Sequence, residues 1–184
     1  MRNVIYAINF TADGCVDHTK QGVDDEKLAY FTQLVSEVGV QVFGRKTYEL
    51  MVPYWPDVLK NPSESKADTD FARAFVSTKM VVFSRTLPAI EDKNTKIVHG
   101  NLRDEMLKLK QEPGKPILVG GVDVASQLIQ LGLVDEFRFV IGPILAGEGR
   151  RLLEGVNLPE KQQLKLVDSK SLKSGSVVLR YLKQ

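Results

Sequence analysis

One cysteine, Cys15, in 184 residues rules out a disulfide within the chain and fits a reducing, cytoplasmic setting. Only two histidines occur, His18 and His99, without metal-ligand spacing; both are expected at the surface, with no metal site. No apolar run approaches the roughly 18 residues of a membrane-spanning helix. The opening MRNVIYAINF has no long apolar stretch and no small-residue cleavage site, so no secretion signal is expected. The net charge of +2 is too small to draw nucleic acid or a membrane surface by charge alone. Any anion site must therefore be local. Internal repeats and low-complexity tracts are also missing.

What is present has the balance of a soluble globular protein, 43% hydrophobic and 26% charged. The length suits one domain over residues 1–184 with a substantial core. Short β-branched or aromatic runs (NVIYAINF, VGVQVFG, KMVVFSR, TKIVHG, PILVGG, EFRFVIGPIL) alternate with longer amphipathic stretches. Leu28, Phe31 and Leu34–Val35 recur at helical steps, as do Leu102, Met106 and Leu109, and again Val124, Leu128 and Leu131 before a capping Gly132. Strand–helix alternation predicts crossovers and a mainly parallel sheet. Val81–Phe83 and Ile117–Val119 are apolar on both faces and read as central strands. The tail, QQLKLVDSKSLKSGSVVLRYLK, reads as an antiparallel hairpin turning at Ser174–Gly175. Residues 57–70, polar and containing Pro and Ser, read as a loop.

Parallel sheets collect ligands at the carboxyl ends of their strands, where backbone amides and helix N-termini point outward. Three such ends carry phosphate-friendly groups. In FGRKT, Gly44 permits close approach, Arg45 and Lys46 bring positive charge, and Thr47 is expected to open a helix. Ser84, Arg85 and Thr86 repeat that chemistry after another strand. Gly120–Gly121 breaks a third strand before a helix. Each has a bland account taken singly: a solvated helix start for the first two, tight strand–helix packing for the glycines. Together they fit one extended dinucleotide, and the basic residues suggest NADPH over NADH, since the 2′-phosphate needs a cation.

These residues, with FTADG, KMVVFSRTL and the long LGLVDEFRFVIGPILAGEGRRLLEG, resemble the dihydrofolate reductase-like superfamily over nearly the whole chain. The similarity is to the branch of the RibD C-terminal (riboflavin-biosynthesis) reductase domain. It implies an α/β, three-layer αβα fold with a mostly parallel mixed sheet, usually a homodimer. It implies hydride transfer from NADPH to a small heterocyclic substrate, a riboflavin-pathway aminopyrimidine or a pterin-like ring. By resemblance, Gly44, Arg45, Lys46 and Thr47 hold phosphates, Ser84 and Arg85 flank the adenosine 2′-phosphate, and Gly120 and Gly121 underlie the diphosphate.

The chain departs from the family in three places. Lys27 in KLAYF replaces the first-helix carboxylate of folate reductases, and a cation there cannot accept the pterin's paired N–H donors. Val119 replaces the Glu that precedes Gly-Gly in riboflavin-pathway reductases, and Val122–Asp123 follow where a third Gly and Arg are common. Asp13 remains for proton work, either as an acid with a pKa raised by partial desolvation or as the polar residue of an Asp-Gly turn. Lys27 either binds an anionic substrate group or is a solvated helix lysine. Tyr48, Tyr54 and Trp55 wall the pocket or pack in the core, and Cys15 lines the pocket or is an inert buried thiol. The acids missing at two family positions motivate an alternative, a non-catalytic nucleotide or small-molecule sensor on the same fold.

Overall fold

In chain order the computed structural model contains β1 (Val4–Thr11), α1 (Asp25–Glu37), β2 (Val40–Gly44), α2 (Arg45–Lys60), α3 (Lys66–Ser77), β3 (Lys79–Phe83), β4 (Thr95–Val98), α4 (Leu102–Gln111), β5 (Ile117–Val119), α5 (Asp123–Gln130), β6 (Glu136–Gly142), β7 (Leu164–Ser171) and β8 (Val177–Lys183). It describes every residue except 62–64 and 91. The strands form one sheet in the order β4-β3-β2-β5-β1-β6-β8-β7. The first six strands pair in parallel, and β8 and β7 add on antiparallel. The alternating pattern predicts the parallel part of this sheet, and the whole is the mixed three-layer dihydrofolate reductase-like fold that the resemblance implies.

The period-2 geometry of β1 divides the core. Val4, Tyr6 and Ile8 pack with Met106 of α4 and Val124, Ala125 and Leu128 of α5 on one face. Ile5 and Ala7 pack with Leu28 and Leu34 of α1 and Phe71 and Phe75 of α3 on the other. Each such fully buried large side chain contributes about 1.5–3 kcal/mol. Helix α5 ends as its sequence suggests. Gly132 takes φ 68°, its N–H donates to Ile129 O and that of Leu133 donates to Leu128 O, which satisfies the last carbonyls. The hairpin turns at Gly175, φ 84°.

Two boundaries differ from the sequence reading. The stretch 57–70 is largely helical: α2 runs to Lys60, through Pro53 and Pro56, and α3 begins at Lys66. Residues 62–64 of that stretch lie outside the described residues. Helix α3 forms because Ser65 caps it, accepting from Asp68 N, and Phe71, Ala72 and Phe75 share a buried face. Helix α2 starts at Arg45, so Thr47 lies in its first turn rather than at its cap.

Candidate functional site

The strands before the three unusual ends, β3, β2 and β5, are neighbours in the sheet. Parallel pairing therefore delivers all three ends to one edge. There they form a cleft of about 310 Å³ lined by Gly44, Arg45, Lys46, Thr47, Ser84, Arg85 and Gly120, with Thr86, Asp123 and Gln127 among the other walls. Gly121 adjoins it through Thr47. Neither α2 nor α5 has a side-chain N-cap; Gly44 and Val122 occupy those positions. Two sets of first-turn N–H groups, each at the positive end of a helix, thus accompany the cleft's three cationic side chains. That donor set fits a diphosphate with an additional phosphate nearby.

The individual contacts sharpen the assignments. Arg45 Nη1 donates to Thr86 Oγ1 at 3.1 Å, and Nε lies 3.8 Å from Glu49, so the guanidinium bridges the β2 and β3 ends. Ser84 Oγ accepts from the N–H groups of Thr86 and Leu87, and His99 Nδ1 donates to Ser84 O at 2.6 Å. The glycines answer to packing. A Cβ on Gly120 would stand 2.6 Å from Phe43 Cε1, and one on Gly121, φ 78°, would stand 2.2 Å from Thr47 Oγ1. They let β5 press against β2 and α2, which shapes the cleft.

The residues assigned to chemistry fare differently. Asp13 does not have the raised pKa expected of an acid. The Thr11 hydroxyl, then the amides of Ala146 and Gly147, donate to its carboxylate and lower its pKa to about 2. It ties the loop after β6 to the end of β1. Lys27 is no solvated lysine. It is 5% exposed, its Nζ donates to Gly22 O at 2.7 Å and lies 3.5 Å from Asp24 Oδ2. That Nζ also lies 3.7 Å from where a Cβ on Gly142 would stand, beside Thr11 at the paired ends of β1 and β6. Trp55 packs on Phe71, ring centroids 4.5 Å apart, and Tyr54 meets Trp55 edge-on at 4.8 Å, so these rings serve the α2–α3 interface and stand outside the cleft. Tyr48 is half-buried, which raises its phenol pKa, with the charge of Asp92 acting the same way. Cys15 is buried under Gly149.

The acids of GLVDEF prove structural. Asp135 accepts from Val4 N and from the buried Lys110, and Glu136 accepts from Arg138, Arg180 and Asn3. A larger cleft of about 880 Å³ opens at the amino ends of β3 and β4. Three of the six cationic residues that line it have structural partners: Arg2 pairs with Glu112, Lys108 with Glu105, and Lys115 donates to Ser36 O near the end of α1. Sequence reasoning missed Gln127, which lines the cleft, and Arg150, which stands outside the lining and reaches it through Asp123. Gln127 stands one turn after Asp123 on α5, a helical spacing that offered the signal. Arg150 pairs with Asp123 at 2.7 Å, and its signal was the basic pair in GEGRR. Among the described residues no helix is long and apolar enough to cross a membrane, and no group of three or more His, Cys, Asp or Glu is placed to hold a metal.

A mixed, mostly parallel sheet with helices on both faces and a cation-lined cleft at three neighbouring strand ends defines an α/β protein of the dihydrofolate reductase-like fold. Comparison makes the family specific: residues 2–178 match the RibD C-terminal domain, and the chain belongs to that family. It is 31% identical to protein YyaP of Bacillus subtilis (strain 168) over 185 residues, covering 98% of this chain and 94% of YyaP. It is 24% identical to YwjB of the same organism, covering 83% of this chain and 79% of YwjB. Among solved structures, a protein from Shewanella sp. PV-4 named for riboflavin biosynthesis superposes with a TM-score of 0.71 at 20% identity, covering 100% of this chain and 99% of that one. A pyrimidine reductase-like protein from Corynebacterium diphtheriae gives a TM-score of 0.67 at 15% identity, covering 100% and 92%.

Proposed function

We propose that the protein is an NADPH-dependent reductase acting on a small heterocyclic substrate of the aminopyrimidine or pterin-like kind. The observation that carries this reading is the convergence of Arg45, Lys46, Arg85 and two uncapped helix N-termini on one cleft. In this reading Arg45 and Arg85, with the hydroxyls of Ser84 and Thr86, hold the 2′-phosphate. Lys46, Thr47 and the start of α5 hold the diphosphate. The cofactor, when bound, supplies a hydride.

The substrate side lies at the ends of β1 and β6. Lys27 offers three donors and no acceptor. Gly22 O takes one of them, and a substrate seated there must present a carbonyl, ring nitrogen or anionic oxygen to the ammonium. An aminopyrimidine carbonyl meets that demand better than a pterin's paired N–H edge. Hydrogen bonds from Thr11, Ala146 and Gly147 hold Asp13 ionised, so in this reading a water ordered by its carboxylate supplies the proton.

Titrating NADPH against the fluorescence of Trp55, which sits in the helix that begins at the cleft, tests the reading. A saturable change is expected, and no binding at millimolar cofactor overturns it. Arg45→Ala should weaken NADPH by about tenfold or more and NADH far less, since a charge-assisted phosphate contact is lost. Equal losses for both would refute the 2′-phosphate role.

The low pKa of Asp13 favours one second reading, a nucleotide-binding sensor without turnover. NADPH binding without oxidation across pterins, aminopyrimidines, quinones and nitro compounds would select it.

A further inference from the structure

Asp123 sets a problem for the cleft described above. It lines the cavity as the first residue of α5, so its carboxylate stands at the helix end best suited to a phosphate. Like charges there oppose binding unless something intervenes. Arg150 intervenes, with Nη2 at 2.7 Å from Asp123 Oδ1.

Arg150 comes from the segment 143–151, and that segment is strapped down along its length. Ile144 O accepts from Ala12 N at 2.8 Å, Asp13 accepts from Ala146 N and Gly147 N, and Lys20 pairs with Glu148 at 2.7 Å. Arg150 O accepts from Val16 N at 2.9 Å, and Cys15 bridges to Arg151. The backbone carrying Arg150 is thus fixed, while its side chain remains 43% exposed. The guanidinium has five donors in a rigid fork, and one carboxylate can engage two of them at most. Its field also reaches the fully buried Tyr6 phenol, whose hydroxyl has no partner among the described residues; burial raises that pKa and the charge of Arg150 opposes the rise.

The geometry points to Arg150 as a further cofactor-contacting residue: held beside α5 by Asp123, it gives its remaining N–H donors to the cofactor diphosphate. Asp123 is then a positioning residue whose charge Arg150 cancels. This inference rests on reading the cleft as the NADPH site.

Dissociation constants for NADPH and for adenosine 2′-monophosphate, which lacks the diphosphate, test it. They are measured on the unaltered protein, Arg150→Met, Arg150→Lys, Asp123→Asn and the Asp123→Asn/Arg150→Met double variant. Arg150→Met should weaken NADPH by about tenfold or more and leave the monophosphate within about twofold, as loss of a charged contact to one phosphate group requires. Arg150→Lys should fall between, and the double variant should recover only part of the loss. Unchanged NADPH affinity in Arg150→Met overturns the inference, as does equal weakening of both ligands. Full recovery in the double variant assigns Arg150 to neutralising Asp123 alone and overturns the contact. If the unaltered protein binds neither ligand, the cofactor reading itself fails and takes this inference with it.

Discussion

Gly121→Ala probes the joint between the glycine turn and the helix that opens the cleft. Gly121 takes φ 78°, where an L side chain costs about 1–2 kcal/mol. The new Cβ would also stand 2.2 Å from Thr47 Oγ1, 3.2 Å from Thr47 Cβ and 3.5 Å from Cγ2. The hydroxyl and Cγ2 must leave their rotamer to make room, and Cβ, fixed to the first turn of α2, stays tight against the new methyl. Overpacking of that kind costs about 1–3 kcal/mol. The sum, about 2–5 kcal/mol, corresponds to a fall of roughly 4–20 °C in Tm at this chain length. In a Thr47→Ala background the Oγ1 and Cγ2 contacts vanish while the backbone cost stays. Urea unfolding of the four proteins should therefore show a favourable coupling of about 1 kcal/mol between the sites. Wild-type stability for Gly121→Ala, or strict additivity with Thr47→Ala, would refute the argument. Because Thr47 N–H belongs to the proposed phosphate site, Gly121→Ala should also weaken NADPH binding, whereas Thr47→Ala alone leaves the backbone donors in place.

Two further perturbations separate fold from site. The folded pKa of Asp13 is about 2, below an unfolded value of about 3.9, so its stabilisation is full above that unfolded value and is lost as pH falls through 2. Stability of the unaltered protein should therefore drop more steeply between about pH 5 and pH 2 than that of Asp13→Asn; parallel profiles would refute the lowered pKa. Glu136 is 2% exposed and accepts from Arg138 Nε at 2.7 Å and Arg180 Nε at 2.8 Å. Glu136→Ala takes the buried acceptor from the half-buried Arg138, which keeps only its contact with Glu37 at 3.4 Å, and should cost up to about 3 kcal/mol by chemical denaturation. NADPH affinity should not change, because Glu136 begins β6 at the end of the sheet away from the cleft. A loss under about 1 kcal/mol would count against a structural role.

The sheet was legible because its strands are short, β-branched and separated by amphipathic helices, a pattern that few topologies satisfy. Gly132 and Ser174–Gly175 marked a helix end and a turn because positive φ demands glycine there. Helix α3 was hidden by its polar first turn: KADTD reads as loop, and its buried Phe71 and Phe75 stand at or beyond the end of the stretch. The cleft could be anticipated because parallel pairing sends the ends of β2, β3 and β5 to one edge. The state of its chemistry could not. The low pKa of Asp13 depends on amides of Ala146 and Gly147, distant in sequence, and the burial of Lys27 depends on the chain closing over it at Gly22.

The long segment GLVDEFRFVIGPILAGEGRR serves two ends. Its acidic pair anchors β1, α4 and β8 through Val4, Lys110 and Arg180. Its glycine-rich end folds back on residues 12–16 and, in the reading above, carries Arg150 to the cofactor. Likeness in the first half therefore speaks to the fold; likeness in the second half speaks to the electron donor only on the proposed reading. The segment meets Lys27 only at the backbone of Gly142. By resemblance the chain inverts polarity at that position, with a buried cation where folate reductases use a carboxylate, and in the proposed reading its substrate must present acceptors there rather than paired N–H donors.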